Sequence, residues 1–211
     1  MTETSPCDFS PLKEALRSSL QEILQDLKTH AASLDNEHCC MLSELADIRE
    51  RFIRLQSQAS SFYLNCYLAP YTEKYEELSF CIRHLMERRH GALIIIERKD
   101  SVNSLIHQGV PLGARFTFSL LESIFYVGNP LHDGAVLVRG SEIVSAANIL
   151  PLSNYEAGPK KLGTRHRAAI GLTELCDALV IVVSEETGSS SFAMGGRLYP
   201  FMPLSENEPV H

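Results

Sequence analysis

From residue 12 to residue 69 the chain carries neither glycine nor proline, and its apolar residues recur at threes and fours. Leu12, Leu16, Leu20, Ile23, Leu27, Ala31 and Leu34 share one face of a helical period, which predicts an amphipathic helix. Ser10 followed by Pro11 predicts its start, with serine as N-cap and proline at the first helical position. Asp35-Asn36 is the expected turn. A second helix carries Leu45, Ile48, Phe52, Leu55, Ala59, Phe62 and Cys66, a seam of heptad type. Residues 1–69 are therefore expected to form a two-helix hairpin. Its apolar stripes cannot all be buried within the pair, so it must dock on the rest of the chain or on another copy. The hairpin is then either a structural cap or a device for assembly or regulation.

The pattern changes at Gly91, the first of twelve glycines. Pro70 is the expected start of a third helix running through Tyr75, Leu78, Cys81, Ile82, Leu85 and Met86, with His90-Gly91 as its C-cap. Ala92 to Glu97 reads as a buried strand and is followed by a polar stretch. Thr117 to Tyr126 reads as a helix closed by Gly128-Asn129-Pro130. Ala135 to Arg139 and Glu142 to Ile149 alternate as strands around a hairpin turn at Gly140-Ser141. Gly163 to Cys176 reads as a helix and Leu179 to Ser184 as a β-branched strand. Two short strands follow, at Ser191 to Met194 and Arg197 to Phe201. Interleaved helices and strands with a tight hairpin predict an α/β (α+β) domain, residues 70–204, built on a mixed β-sheet flanked by helices. Residues 205–211 are expected to be a frayed tail.

Nineteen basic against twenty-six acidic residues leave a net charge of −7. That balance argues against a protein that wraps nucleic acid through its phosphates. The longest apolar run, Ala178 to Val183, is far shorter than the roughly 20 residues of a membrane helix. The start, Met1-Thr2-Glu3-Thr4, is not a signal sequence, so a soluble, cytoplasmic protein is expected. The six cysteines, at positions 7, 39, 40, 66, 81 and 176, form no CxxC pair, so neither zinc nor a disulfide framework is expected.

Three stretches carry candidate chemistry. In Asn129-Pro130-Leu131-His132-Asp133-Gly134-Ala135, His132 and Asp133 offer a nitrogen and an oxygen ligand suited to Mn²⁺ or Mg²⁺. Gly134 permits close approach of a ligand to the main chain. In Leu162-Gly163-Thr164-Arg165-His166-Arg167, a helix start with two guanidiniums is suited to gripping phosphate oxygens, with Thr164 as the expected N-cap. Lys160 to Arg167 holds four basic residues and no acidic one, and only Tyr155 is nearby as an aromatic for stacking on RNA bases. In Val182-Val183-Ser184-Glu185-Glu186-Thr187-Gly188 a buried strand runs out into hydroxyls and carboxylates. Each stretch also has an ordinary reading, as a turn, a solvated basic face and a solvated loop.

Asp133-Gly134-Ala135, Leu150-Pro151-Leu152-Ser153, Gly163-Thr164-Arg165-His166-Arg167-Ala168-Ala169 and Val183-Ser184-Glu185-Glu186-Thr187-Gly188 resemble, in this order and spacing, the diadenylate cyclase domain family. With its short helical extension, the chain resembles the soluble, sporulation-type branch of that family. The resemblance implies condensation of two ATP into cyclic di-AMP with release of two pyrophosphates. It implies that Asp133 activates the ribose 3′-hydroxyl and, with His132 and Glu186, holds Mn²⁺ or Mg²⁺. Gly134 and Ala135 would line the nucleotide, Leu150 would pack near the adenine, and Thr164 would contact the phosphates. Arg165, His166 and Arg167 would contact the phosphates, with Ser184 and Glu185 on the same side. Ile149 stands where many relatives carry an aromatic residue, so aliphatic packing is expected there. The expected partners are ATP and further copies of the chain, as a dimer of active-site halves and, through the N-terminal helices, a hexamer. The competing readings are a non-catalytic module that senses ATP or cyclic di-AMP, and an inert helical scaffold.

Overall fold

The structure, a computed structural model, describes residues 10–32, 41–154 and 162–203. Helices α1 (Ser10–Ala32) and α2 (Met41–Leu68) form the expected hairpin. Arg51 donates to Asp26 at 2.6 Å and His30 pairs with Glu44 at 2.7 Å, which fixes the two helices as antiparallel neighbours. The expected turn at Asp35-Asn36, the side chains of the Ser10-Pro11 start and the tail at 205–211 lie outside the described residues.

The heptad seam of α2 divides in the middle. Leu45 and Phe52 are exposed, whereas Leu55 is buried. From there the buried positions run Ser60, Leu64 and Leu68, one residue to two residues out of step with the expected Phe62 and Cys66. The last turns of α2 enter the main core, and Ser61 stitches them to the end of the sheet. Its hydroxyl donates to the Met202 carbonyl at 2.8 Å and accepts from the Met202 N–H at 3.1 Å. Cys66, expected as a small apolar seam residue, is instead disulfide-bonded, its partner lying outside the described residues as do Cys7, Cys39 and Cys40.

Beyond the hairpin come α3 (Tyr75–Glu87), β1 (Ala92–Ile96), β2 (Val110–Arg115), α4 (Phe118–Ile124), β3 (Ala135–Arg139), β4 (Glu142–Asn148), α5 (Thr164–Thr173), β5 (Leu179–Val183), β6 (Ser190–Met194) and β7 (Arg197–Phe201). The seven strands make one sheet in the order β2-β4-β3-β1-β5-β6-β7. Only β1 and β3 pair in parallel, joined through β2 and α4, and every other neighbouring pair is antiparallel. Strand alternation sorts the central side chains into two cores. Ile94, Ile96, Val136, Val138 and Ile181 face α3, α4 and the end of α2. Leu93, Ile95, Leu137, Val180 and Val182 face α5.

Four local readings of the sequence are corrected. Strand β2 was hidden in the polar stretch, because Pro111 and Gly113 break its pattern and its side chains are mostly exposed. An edge strand tolerates proline because one row of its N–H groups faces away from the sheet. Pro70 lies in a turn, and α3 starts at Tyr75. The left-handed residue closing α3 is Arg89, at φ +53°, rather than Gly91. Gly163, not Thr164, is the N-cap of α5, which ends at Thr173 rather than Cys176.

Candidate active site

One end of the sheet is hollowed into a cleft of about 1240 Å³. Its walls are the start of β1, the residues leading into β3, the end of β4, the turn after β5 and the first turn of α5. Because β4 and β5 run opposite to β1 and β3, two strand starts and two strand ends meet at this edge.

The β3–β4 wall is built around a close contact between backbones. Gly134 takes φ +115°, and a Cβ there would come within 2.8 Å of the Ala147 carbonyl carbon and the Asn148 oxygen. Opposite it, Ala147 itself is held at φ +56°, a conformation that costs a non-glycine residue energy and needs surrounding structure to hold it. Buried Asn148 provides that structure. Its Nδ2 donates to the Ala135 carbonyl at 2.7 Å, while its Oδ1 accepts from Gly109 N–H at 3.0 Å and from the Ser145 hydroxyl at 2.9 Å. Ile149 follows, pinned by paired main-chain bonds to His107 of 2.9 and 3.0 Å, and its side chain stays 63% exposed at the cleft.

The facing wall is cationic. Gly163 begins α5 in extended conformation with no side-chain cap, so the first N–H groups of the helix are left for a ligand or solvent. Arg165 reaches across to the turn after β5, where its Nη1 donates to Glu185 at 2.9 Å. That turn is closed by Gly188 N–H on the Ser184 carbonyl and by Thr187 N–H on the Ser184 hydroxyl, at 2.9 and 3.3 Å. Burial lowers the pKa of His166, and the Arg165 charge adds to the effect against an opposing pull from Glu186. The imidazole is therefore neutral at pH 7.

Asp133, Gly134, Leu150, Thr164, Arg165, His166, Ser184, Glu185 and Glu186 all line the cleft. Three of the expected site residues do not. Ala135 is wholly buried in the core beneath the floor. Arg167 turns away, its Nε and Nη2 both donating to the Ser153 carbonyl at 3.2 and 3.1 Å. There it braces the Leu152-Ser153 rim rather than presenting charge to the cleft. His132 directs Nδ1 at the Asn129 carbonyl, 2.5 Å away. A carbonyl only accepts, so Nδ1 carries a proton. Among the described residues no group of three or more His, Cys, Asp or Glu side chains is gathered for a metal. The expected triple of His132, Asp133 and Glu186 is thus not brought together in this structure, although the two carboxylates share the cleft. Lys160 and Tyr155 lie outside the described residues.

Asn148, Ala147 and Ser189, which the sequence does not single out, also line the cleft, as does Thr187 of the third candidate stretch. Asparagine inside a strand of small and β-branched residues was the available signal for the first, since asparagine is disfavoured in strands unless its amide is used. Nothing in a run of two alanines marks the left-handed one.

Comparison with known proteins places the chain among relatives of one family. The family described as DisA bacterial checkpoint controller nucleotide-binding matches residues 79–198, and the family described as diadenylate cyclase CdaS, N-terminal, matches residues 4–71. Diadenylate cyclase CdaS of Bacillus thuringiensis is 48% identical over 89% of this chain and 96% of its own length. Cyclic di-AMP synthase CdaS of Bacillus subtilis is 49% identical over 90% and 91%. Among solved structures, a Bacillus cereus protein described as a hypothetical membrane spanning protein superimposes with a TM-score of 0.75 at 48% identity, covering 90% of this chain and 93% of that one. No described helix of the present chain is long and apolar enough to cross a membrane. A double mutant of DacA from Staphylococcus aureus gives a TM-score of 0.58 at 38% identity, over 62% of this chain and 86% of that one. With both family signatures in register along its length, the chain belongs to the diadenylate cyclase family, and within it to the members that carry a CdaS-type N-terminal region.

Proposed function

We propose that the chain joins two ATP into cyclic di-AMP, releasing two pyrophosphates, in a cleft that is completed by a second copy. The observation that carries the reading is the single cleft lined both by the Asp133 carboxylate and by the cationic start of α5. The 3′-hydroxyl oxygen of one ATP bonds to the α-phosphorus of the other, and the bond from that phosphorus to pyrophosphate breaks. Asp133 takes the hydroxyl proton as the new bond forms. Charge grows on the departing pyrophosphate, where Arg165 and the open N–H groups of α5 are fixed in advance to receive it. His166 stays uncharged beside Arg165 and is available as a hydrogen-bond donor to a phosphate oxygen.

Asp133 and Glu186 supply hard oxygen donors of the kind that hold Mg²⁺ or Mn²⁺ together with substrate phosphates, so one or two carboxylates suffice. His132 stands outside the cleft, its Nδ1 on the Asn129 carbonyl, so the two carboxylates are the donors this site offers to the ion. A divalent ion bound there supplies Lewis-acid stabilisation of the pyrophosphate charge. The setting of the reaction is the cytoplasm, the compartment that supplies ATP.

Each chain carries one such cleft, and the product is two-fold symmetric, so two clefts facing each other satisfy both attacks. The exposed Ile149 and Leu152 at the cleft provide apolar surface for that meeting and for the adenine. The hairpin gathers copies through its uncovered leucines into a larger oligomer and restrains how clefts meet. Incubating the full chain with ATP and Mg²⁺ or Mn²⁺, with mass detection of products, tests the reading. Cyclic di-AMP and pyrophosphate are expected; bound but unaltered ATP would leave a sensor in its place.

A further inference from the structure

Gly91 has no conformational reason to be glycine. It is not the left-handed residue that ends α3, a place taken by Arg89, and its own φ lies outside the left-handed range. What it meets is the head of Arg165. A Cβ at position 91 would lie 2.3 Å from Arg165 Nη1, 2.6 Å from Cζ and 3.0 Å from Nη2, and these are its three nearest neighbours. The guanidinium rests directly against Gly91, and the same Nη1 that lies nearest to it donates to Glu185 at 2.9 Å. The seat is assembled from three separated parts of the chain: the buried backbone just before β1, the first turn of α5, and the turn after β5.

We propose that Gly91 is a positioning residue for the cyclisation, acting through Arg165. A side chain as small as alanine would force the guanidinium to move by about 1 Å or more to regain ordinary contact. A displacement of that size in a reacting assembly costs on the order of 10²-fold in rate. The movement would also pull Nη1 from Glu185, freeing a long flexible side chain that this contact now holds in one place. The fold itself has little at stake, because the three nearest atoms, which must give way, all belong to the far end of one long side chain. The inference rests on the reading of Arg165 as the grip on the triphosphate.

The test is a double-mutant cycle in the full chain with Gly91→Ala, Arg165→Ala and both together, following cyclic di-AMP formation from ATP and thermal unfolding. Gly91→Ala is expected to lower turnover ~10²-fold with the melting midpoint close to wild type. In the Arg165→Ala background the same change is expected to cost less than about twofold, since the group it acts through is gone. Turnover near wild type for Gly91→Ala beside an impaired Arg165→Ala overturns the positioning role alone. An undiminished effect of Gly91→Ala in the Arg165→Ala background also overturns it. Full activity of Arg165→Ala instead removes the phosphate-gripping reading, and the inference with it. Should Gly91→Ala unfold the chain, removal of the Arg165 side chain is expected to restore folding, and a double variant that stays unfolded refutes the proposal.

Discussion

The hairpin and the sheet domain are written in equally clean apolar periods, yet the protein treats them differently. Every residue of β1 and β5 is buried, and the two strands lie side by side at the centre of the sheet. In the hairpin, by contrast, Leu20, Leu24, Leu42, Leu45, Phe52 and Ile53 are exposed, Leu42 by 82%. Of the large apolar residues from 13 to 55 on the described helices, Ile23 and Leu55 alone are buried. Periodicity therefore specifies the element and its sticky face, while the occupant of that face depends on what the fold brings there. The sheet finds its partners within the chain. Large apolar side chains left uncovered along both helices of the hairpin are the kind of surface that a further copy covers.

The contrast can be broken most severely in the catalytic half. Asp133→Asn is expected to lower cyclic di-AMP formation ~10²- to 10⁴-fold while leaving ATP binding and the oligomer intact. Equilibrium binding and size-exclusion measurements on the same sample would check both, and normal turnover would remove Asp133 from its role as base. Next comes packing. Ile181→Ala, at the centre of the buried strand β5, is expected to cost about 2–5 kcal/mol in denaturant unfolding. Leu45→Ser and Phe52→Ser in the hairpin are expected to stay within about 0.5 kcal/mol for the isolated chain, as surface changes do, yet to lower the oligomer mass. A loss of stability without loss of assembly would mean that the stripe is core after all. The smallest effect is electrostatic. His166 has its pKa lowered by burial, so the unfolded chain takes up its proton first as pH falls. Its contribution to stability is present above pH 6.5 and is lost as pH falls below that value towards the folded pKa. His166→Gln should flatten that acid limb in a pH series of melting curves.

Much of the scaffold could be read from the chain because its signals are local. The β-branched run at Leu179–Val183 and the Gly140-Ser141 turn between β3 and β4 needed no tertiary information. Strand β2 did: Pro111 and Gly113 contradict a strand locally, and only pairing with β4 makes one. At the cleft, Asp133, Thr164, Arg165 and Glu186 announced themselves by residue type. Arg167 carried the same signal and was claimed by the Ser153 carbonyl instead, a contact between parts of the chain that no spacing rule reports. Asn148 and Gly91 act through what they touch, and what they touch is decided by the finished fold.

Helix α2 begins among exposed leucines and ends with Leu64 and Leu68 sealed in the main core of the sheet domain, without a hinge of glycine or proline in between. The uncovered leucines and the sheet domain are thus joined by one stiff shaft, so the direction in which the leucines face is fixed relative to the sheet. A residue inserted between Ile53 and Ser60 would swing the leucine stripe by about 100° around that shaft, whereas a four-residue insertion would bring it back nearly into phase. On the proposed assembly, a change in the length of this helix re-aims one cleft against another and leaves every residue that lines the cleft untouched.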